Sequence, residues 1–317
     1  MADAEVDPGF RRDVLAGLAA PIKAIPARWL YDRRGSELFE AITALPEYYP
    51  TRVESALLAE IAADVASLVG PGRAVVELGS GSSAKTPLLL RAIRPAAYVP
   101  VDISGAFLRE AAEALSEDFP DLAVFPVEAD FMAAIPLPPQ IAALPRLGFF
   151  PGSTIGNLVA ATAVDLLRRL KAALDVGAQL LIGIDRVKSE EVLLAAYNDA
   201  AGVTALFNMN LLHRINSELG GTIPVDAFHH RAIWNDRMSR IEMHLEAERE
   251  LAFDVEGKRF TMAAGETIHT ENSHKYGLRD ARLLLRAGGW GLIGEWIDAD
   301  DQFAVLLAEA EAPRSAP

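Results

Sequence analysis

The chain has 317 residues, 51% of them apolar, a formal net charge of −14 and a sequence pI near 4.9. This is enough chain for one large or two ordinary domains with a sizeable core, and an acidic balance without a basic stripe excludes nucleic acid as a partner. With no cysteine there is no disulfide, thiolate metal site or cysteine nucleophile, and with no signal-like start and no apolar run near 18 residues the expectation is a cytoplasmic protein with no membrane partner.

Residues 1 to about 20 read as a polar start and an amphipathic helix, ended by Pro21 and Pro26. A second helix is expected from Gly35-Ser36, with Leu38, Phe39 and Ile42 at helical spacing. It stops at Leu45-Pro46-Glu47-Tyr48-Tyr49-Pro50, where two tyrosines between two prolines predict a stiff amphipathic loop. On composition alone that loop is equally a patch of packed surface aromatics. A helix carrying Glu54, Leu57, Leu58 and Ile61 then leads into a buried strand, Ala74 to Leu78.

This strand breaks into Gly79-Ser80-Gly81-Ser82-Ser83-Ala84-Lys85-Thr86 and a helix to about Ile93. Glycines there tolerate unusual backbone angles and let a ligand approach the main chain. Strand, glycine turn and helix N-terminus together make a nucleotide-type site. Gly79-x-x-x-x-Ala84-Lys85-Thr86 is one residue from a P-loop, which needs glycine at position 84. The rival reading is Glu77-x-Gly79-x-Gly81, the turn that cradles S-adenosylmethionine (SAM) in Rossmann-like methyltransferases. A second strand, Ala97 to Val101, ends in Asp102, 102 − 79 = 23 residues beyond the first glycine. An acid there can accept from ribose hydroxyls, a role that a P-loop does not require. A dinucleotide, a nucleoside triphosphate and a ligand-free turn stay open on this stretch alone.

Ser104 is a candidate cap for a helix over Gly105 to Leu115, and a third strand is expected over Leu122 to Val127. At its end Asp130 and Phe131 could hold the edge and face of an adenine, or form a solvated turn. Leu147 to Phe150 is the fourth strand, running into Pro151-Gly152-Ser153-Thr154-Ile155-Gly156-Asn157, where open α/β sheets place ligands. Helix 162–174 and a strand from Gln179 to Ile184 follow. The periodicity then changes: 188 to about 220 is helical and polar, and 230 to 270 alternates like antiparallel strands. Helix 275–287 and strands Gly291 to Asp298 and Phe303 to Glu309 close the sheet. The six histidines show no metal-ligand spacing, so no metal is expected. Thr270-Glu271-Asn272-Ser273-His274-Lys275 reads in isolation as a capping sequence or polar loop, although a carboxylate and a hydroxyl two residues apart could grip N–H groups.

Taken together, the chain resembles the histidine Nα-methyltransferases of ergothioneine biosynthesis, the histidine-specific SAM-dependent methyltransferases. The match runs from about Ile25 to Glu309. It rests on Trp29-Leu30-Tyr31-Asp32, Gly35-Ser36-Glu37-Leu38-Phe39, Leu45 to Arg52, Val76 to Gly81, Pro151 to Asn157, Asp199 to Thr204, Arg240-Ile241-Glu242-Met243 and Thr270 to Ser273. The visible variation is Asn272, where an apolar residue can also occur.

The resemblance implies an α/β fold: a Rossmann-like class I SAM methyltransferase domain over 52–187 and 275–311, a smaller α+β substrate-binding lobe over 1–51 and 188–274, and a disordered tail at 312–317. It implies that Gly79, Gly81, Lys85, Asp102, Asp130 and Phe131 contact SAM, with S-adenosylhomocysteine as product. Asn157 and Tyr197 would hold the carboxylate of L-histidine, and Tyr48, Glu271 and Ser273 its imidazole. Tyr31, Phe39, Gly152, Thr154 and Met243 would line the rest of the pocket, with Tyr31 and Asn157 as the catalytic pair. The implied reaction is methylation of the α-amino group, up to the trimethylammonium betaine hercynine, by a monomer. The competing expectations are an α-N-methyltransferase of another amino acid and a non-catalytic SAM- or amino-acid-binding regulator.

Overall fold

The computed structural model describes residues 6–81 and 85–312, so Ser82, Ser83 and Ala84 of the glycine loop, and the expected disordered tail beyond residue 312, lie outside the described residues. The described residues divide into two units, 49–188 with 274–312, and 6–48 with 189–273. No helix among them is long and apolar enough to cross a membrane.

The first unit alternates strands and helices: α1 (Tyr49–Val69), β1 (Ala74–Leu78), α2 (Thr86–Ile93), β2 (Ala97–Asp102), α3 (Gly105–Asp118), β3 (Ala123–Val124), β4 (Arg146–Phe150), α4 (Ala160–Leu174), β5 (Gln179–Asp185), α5 (Leu278–Ala287), β6 (Trp290–Ile297) and β7 (Phe303–Ala310). The sheet order is β3-β2-β1-β4-β5-β7-β6. β3 to β5 run parallel, and β7 is antiparallel to both β5 and β6. This is the Rossmann-like methyltransferase arrangement, closed by an antiparallel hairpin. Order reverses between β1 and β4, so the turns after these two strands flank the switch-point crevice where open α/β sheets bind ligands.

Strand pleating explains the core. Ala74, Val76 and Leu78 face one side with Val99, Val101, Ile182 and the α4 residues Leu166 and Leu170. Val75 faces the other side with Tyr98, Leu147, Phe149 and the α1 residues Leu57, Leu58 and Ile61. Both faces are covered, so β1 is buried along its whole length and reads as a continuous apolar run broken only by Glu77.

Four local expectations change. The third strand splits into β3 and a two-residue piece, Val127–Glu128, that pairs further along β2. Pro126 between them has no N–H for the ladder. Ser104 makes no side-chain cap; its own N–H donates to Asp102 Oδ1 at 2.9 Å. Tyr49 belongs to the helix rather than to the preceding loop, because Pro50 falls in the first turn of α1, where a missing N–H does no harm. Residues 275–277 lie before α5 rather than in it.

The second unit is α+β. Among the described residues its sheet has the order Lys23–Ala24, Thr267–His274, Arg240–Ala247, Phe228–Asn235, with a separate hairpin of Leu251–Val255 and Lys258–Met262. The stretch expected to be helical and polar is two helices, Glu190–Tyr197 and Val203–Glu218, the second started by Asp199, which accepts from the N–H groups of Val203 and Thr204. Thr270 to His274 is strand, not a polar loop. The helix Arg33–Thr43 begins two residues earlier than expected, because Asp32 accepts from the Gly35 N–H at 2.7 Å as its cap. Gly35 has no substitute there: a Cβ would lie 1.7 Å from the Leu30 carbonyl oxygen.

Candidate active site

In the first unit, Gly79 and Gly81 both have positive φ, +61° and +50°. Gly79 N–H donates to the Val101 carbonyl at 2.9 Å, and Gly81 N–H to Asp102 Oδ2 at 3.0 Å. Asp102 is therefore more than an acid at a strand end: its two oxygens tie the glycine turn to the start of α3. Burial raises its pKa, against the backbone N–H groups of Ser104 and Gly81, which lower it. A Cβ on Gly79 would meet the Phe131 ring at 3.6 Å and the Thr154 methyl at 4.0 Å. Three sequence-predicted residues thus converge from the ends of three elements. Phe131 is held edge-on against Phe150, with centroids 5.7 Å apart. Asp130 turns back to accept from the Met132 N–H at 2.8 Å.

The turn after β4 is backbone-strained. Gly152 has φ +75°, and Ser153, a non-glycine, has φ +55°. Ser153 Oγ accepts from the Asp185 N–H at 2.9 Å, Thr154 Oγ1 donates to the Pro151 carbonyl at 3.0 Å, and His274 Nδ1 contacts the Gly156 carbonyl at 2.8 Å. Asn157 ends this turn, half-buried.

Two glutamates that carried no assignment in the sequence organise this unit. Glu54, buried on α1, takes both Lys85 Nζ and the Gly152 N–H, the latter at 2.8 Å. Lys85 is thus held at the foot of the loop by an ion pair. Glu77, the acid of the glycine motif, points into the core, where Thr86 Oγ1 and the Tyr98 hydroxyl donate to it at 2.6 and 2.7 Å. Burial pushes its pKa up to about 7 against those two bonds. Its part is to fasten α2 and β2 to β1.

In the second unit, the sequence-predicted aromatics form a chain of edge contacts. Tyr31 meets Phe39 at 5.5 Å, Phe39 meets Tyr48 at 6.2 Å, and Tyr48 meets Tyr197 at 6.1 Å. Phe207 backs both Tyr31 and Phe39, at 5.4 and 6.0 Å. The Tyr197 hydroxyl lies 2.7 Å from Ser273 Oγ. Glu271 and Met243 are buried on neighbouring strands, linked by Thr270, whose hydroxyl contacts the Met243 carbonyl at 3.0 Å. Phe207 stood in the sequence only as one apolar residue of a helical stretch.

The histidine spacing hid one cluster. Glu242, His244 and His269 offer donor atoms within 4.8 Å of one another, and the two imidazoles stack 4.7 Å apart. Burial raises the Glu242 pKa, but the bonds from Arg240, Asn235 and His244 outweigh it and hold it at about 2. Arg240 Nη2 sits 2.6 Å from Glu242 Oε1, so a guanidinium already compensates the charge that a cation would need.

The histidine-specific, SAM-dependent methyltransferase model matches residues 10–310. This chain belongs to that family. A histidine N-alpha-methyltransferase of Mycolicibacterium smegmatis is 41% identical, over 94% of this chain and 94% of its own. That of Mycobacterium tuberculosis is 40% identical over the same shares. An L-tryptophan methyltransferase of Psilocybe serbica is 26% identical over 96% of this chain and 93% of its own. The methyl donor of this methyltransferase is SAM, and the first unit fits it: among the described residues nothing stands within 4 Å of where a Cβ of Gly81 would be, and the Gly81 N–H donates to Asp102 at the end of the next strand.

Proposed function

We propose that this family member methylates the α-amino nitrogen of L-histidine three times, giving hercynine for ergothioneine biosynthesis. The observation that carries the substrate assignment is the hydroxyl pair Tyr197–Ser273, with Ser273 two residues along the strand from a buried Glu271, Tyr48 against Tyr197, and Phe39 against Tyr48. A neutral imidazole has one N–H and one lone pair. An ionised Glu271 accepts the N–H, and the hydroxyls of Ser273 and Tyr48, which can donate or accept, answer the second nitrogen. Tyr197 and Asn157 are assigned to the substrate carboxylate and Tyr31 to the amine.

Gly79, Gly81, Lys85, Asp102, Asp130 and Phe131 are the residues that would hold SAM, which when bound supplies a methyl group on a sulfonium. The substrate nitrogen must offer its lone pair, so it reacts as the neutral amine. A cationic neighbour lowers the amine's pKa and favours that form. No strong general base is then required, and the residues contribute by orientation. Each transfer onto a protonated amine's conjugate base leaves one fewer N–H, and the third leaves a fixed cation with no proton to lose. Gly152 and Thr154 are small, which suits a nitrogen that gains bulk at every turn.

Glu271→Ala tests the assignment. A pocket that answers both ring nitrogens rejects side chains lacking them, because its own polar groups would be stranded; such discrimination reaches roughly 10⁴–10⁵. The kcat/KM ratio of histidine to phenylalanine and to tryptophan should collapse in the variant. An unchanged ratio would remove Glu271 from imidazole recognition. A wild-type preference for tryptophan would favour the alternative substrate represented by the Psilocybe relative.

A further inference from the structure

A buried polar network of the second unit, built on Asn208, His230 and Thr270, which have no substrate assignment, reaches the main chain of Tyr197, which has one. Asn208, on helix Val203–Glu218, is fully buried. Its Oδ1 accepts from the Thr270 hydroxyl at 2.6 Å. Its Nδ2 reaches the His244 carbonyl at 3.0 Å and His230 Nδ1 at 2.9 Å. The amide has two N–H groups, and both are used as donors, so His230 Nδ1 must be the bare, accepting nitrogen. The ring proton then sits on Nε2, which lies 2.8 Å from the Tyr197 carbonyl and donates to it. Burial lowers the His230 pKa, against the Tyr197 carbonyl and the charge of Asp199, which raise it; the neutral ring is the form this chain of bonds uses.

We propose that Asn208 and His230 are positioning residues for substrate capture: Asn208 fixes the His230 tautomer, and His230 fixes the last residue of helix Glu190–Tyr197 so that the Tyr197 hydroxyl stands ready for the substrate carboxylate. Tyr197 sits at a helix end, where the final carbonyl groups lack intrahelical partners and a turn can fray. A donor on its main-chain carbonyl and the Ser273 contact on its hydroxyl hold the residue at backbone and side-chain tip. The inference rests on Tyr197 touching the carboxylate.

The experiment is a double-mutant cycle on the full chain, reading KM for L-histidine, kcat and Kd for SAM. Tyr197→Phe should raise KM about tenfold or more, the size of a hydrogen bond to a charged group. If its KM is unchanged, the substrate role of Tyr197 fails, and with it the basis of this inference. His230→Leu should raise KM by a similar factor with the SAM Kd unmoved. In the Tyr197→Phe background that second increase should vanish, because residues acting through one another are non-additive. His230→Gln keeps a donor for the carbonyl and an acceptor for Asn208, and should restore most of the KM. If His230→Leu does not fold, Asn208→Asp enters the same cycle, since a carboxylate cannot donate to Nδ1. Full additivity with Tyr197→Phe, or equal losses in SAM affinity and histidine KM, would overturn the proposal and leave the network as core packing.

Discussion

Asp102 has a structural part beside the cofactor role proposed for it. Its position at the end of β2 was legible as that of a ribose acceptor. That its oxygens also hold Gly81 and Ser104 was not, because the partners are backbone N–H groups set by a turn conformation. Asp102→Ala should weaken SAM by about 1.5–3 kcal/mol, roughly 10- to 150-fold in Kd. Ser104→Ala, with no cap to lose, should leave affinity near wild type. Titration calorimetry decides: wild-type SAM affinity in a folded Asp102→Ala protein would remove the acid from the cofactor site. Lys85, a SAM contact by the family resemblance, has its ammonium paired with Glu54, which holds it at the glycine turn.

The elements of the first unit are bound to one another by buried carboxylates as well as by apolar contact. Glu54 connects α1 to Lys85 and to the β4 turn. Glu54→Ala leaves Lys85 without its partner and the Gly152 N–H without an acceptor; removing one member of a buried pair typically costs about 3–5 kcal/mol. An unfolding free energy from urea titration lowered by less than about 1 kcal/mol would contradict that role. Glu77 gives a pH signature. Its pKa is raised from 4.5 to about 7, chiefly by burial, so the folded protein binds this proton more tightly than the unfolded chain does. Between these two values stability must fall as pH rises. Glu77→Gln keeps an oxygen for Thr86 and Tyr98 but has nothing to titrate, so its denaturation midpoint should lack that decline. Parallel pH profiles for the two proteins would refute the assignment. What the sequence showed at this scale were the strands and helices whose period is set by burial, such as β1, α2 and β2. It did not show the break at Pro126 as two pieces, nor Thr270 to His274 as strand, since that stretch is polar and its pairing partners are distant in the chain. The aromatic row could be named residue by residue only through the family resemblance. Phe207, Asn208 and His230 carried no local pattern that would have marked them.

At the scale of the whole chain, three connections pass between the two units, at 48/49, 188/189 and 273/274. Beside all three, within the first unit, stands one buried acid. Asp185 takes the Tyr49 hydroxyl at 2.8 Å, Lys275 Nζ at 2.6 Å and Lys188 Nζ. Burial raises its pKa, but the two lysines outweigh it and leave it lowered, while burial brings Lys188 down to about 8. The excursion into the second unit was legible as a change of period near residue 188, whereas the cluster on Asp185 was not, because Tyr49 and Lys275 lie 136 and 90 residues from it in the chain. Complete methylation of the histidine α-nitrogen, as proposed, makes a single end product. The most direct measurement is the mass and fragmentation of the product formed from L-histidine with excess SAM. Three added methyl groups are expected, all on the α-nitrogen, with the imidazole unmodified. Methyl groups on the ring, a product that stops at one methyl, or no product from histidine while tryptophan is consumed would contradict it.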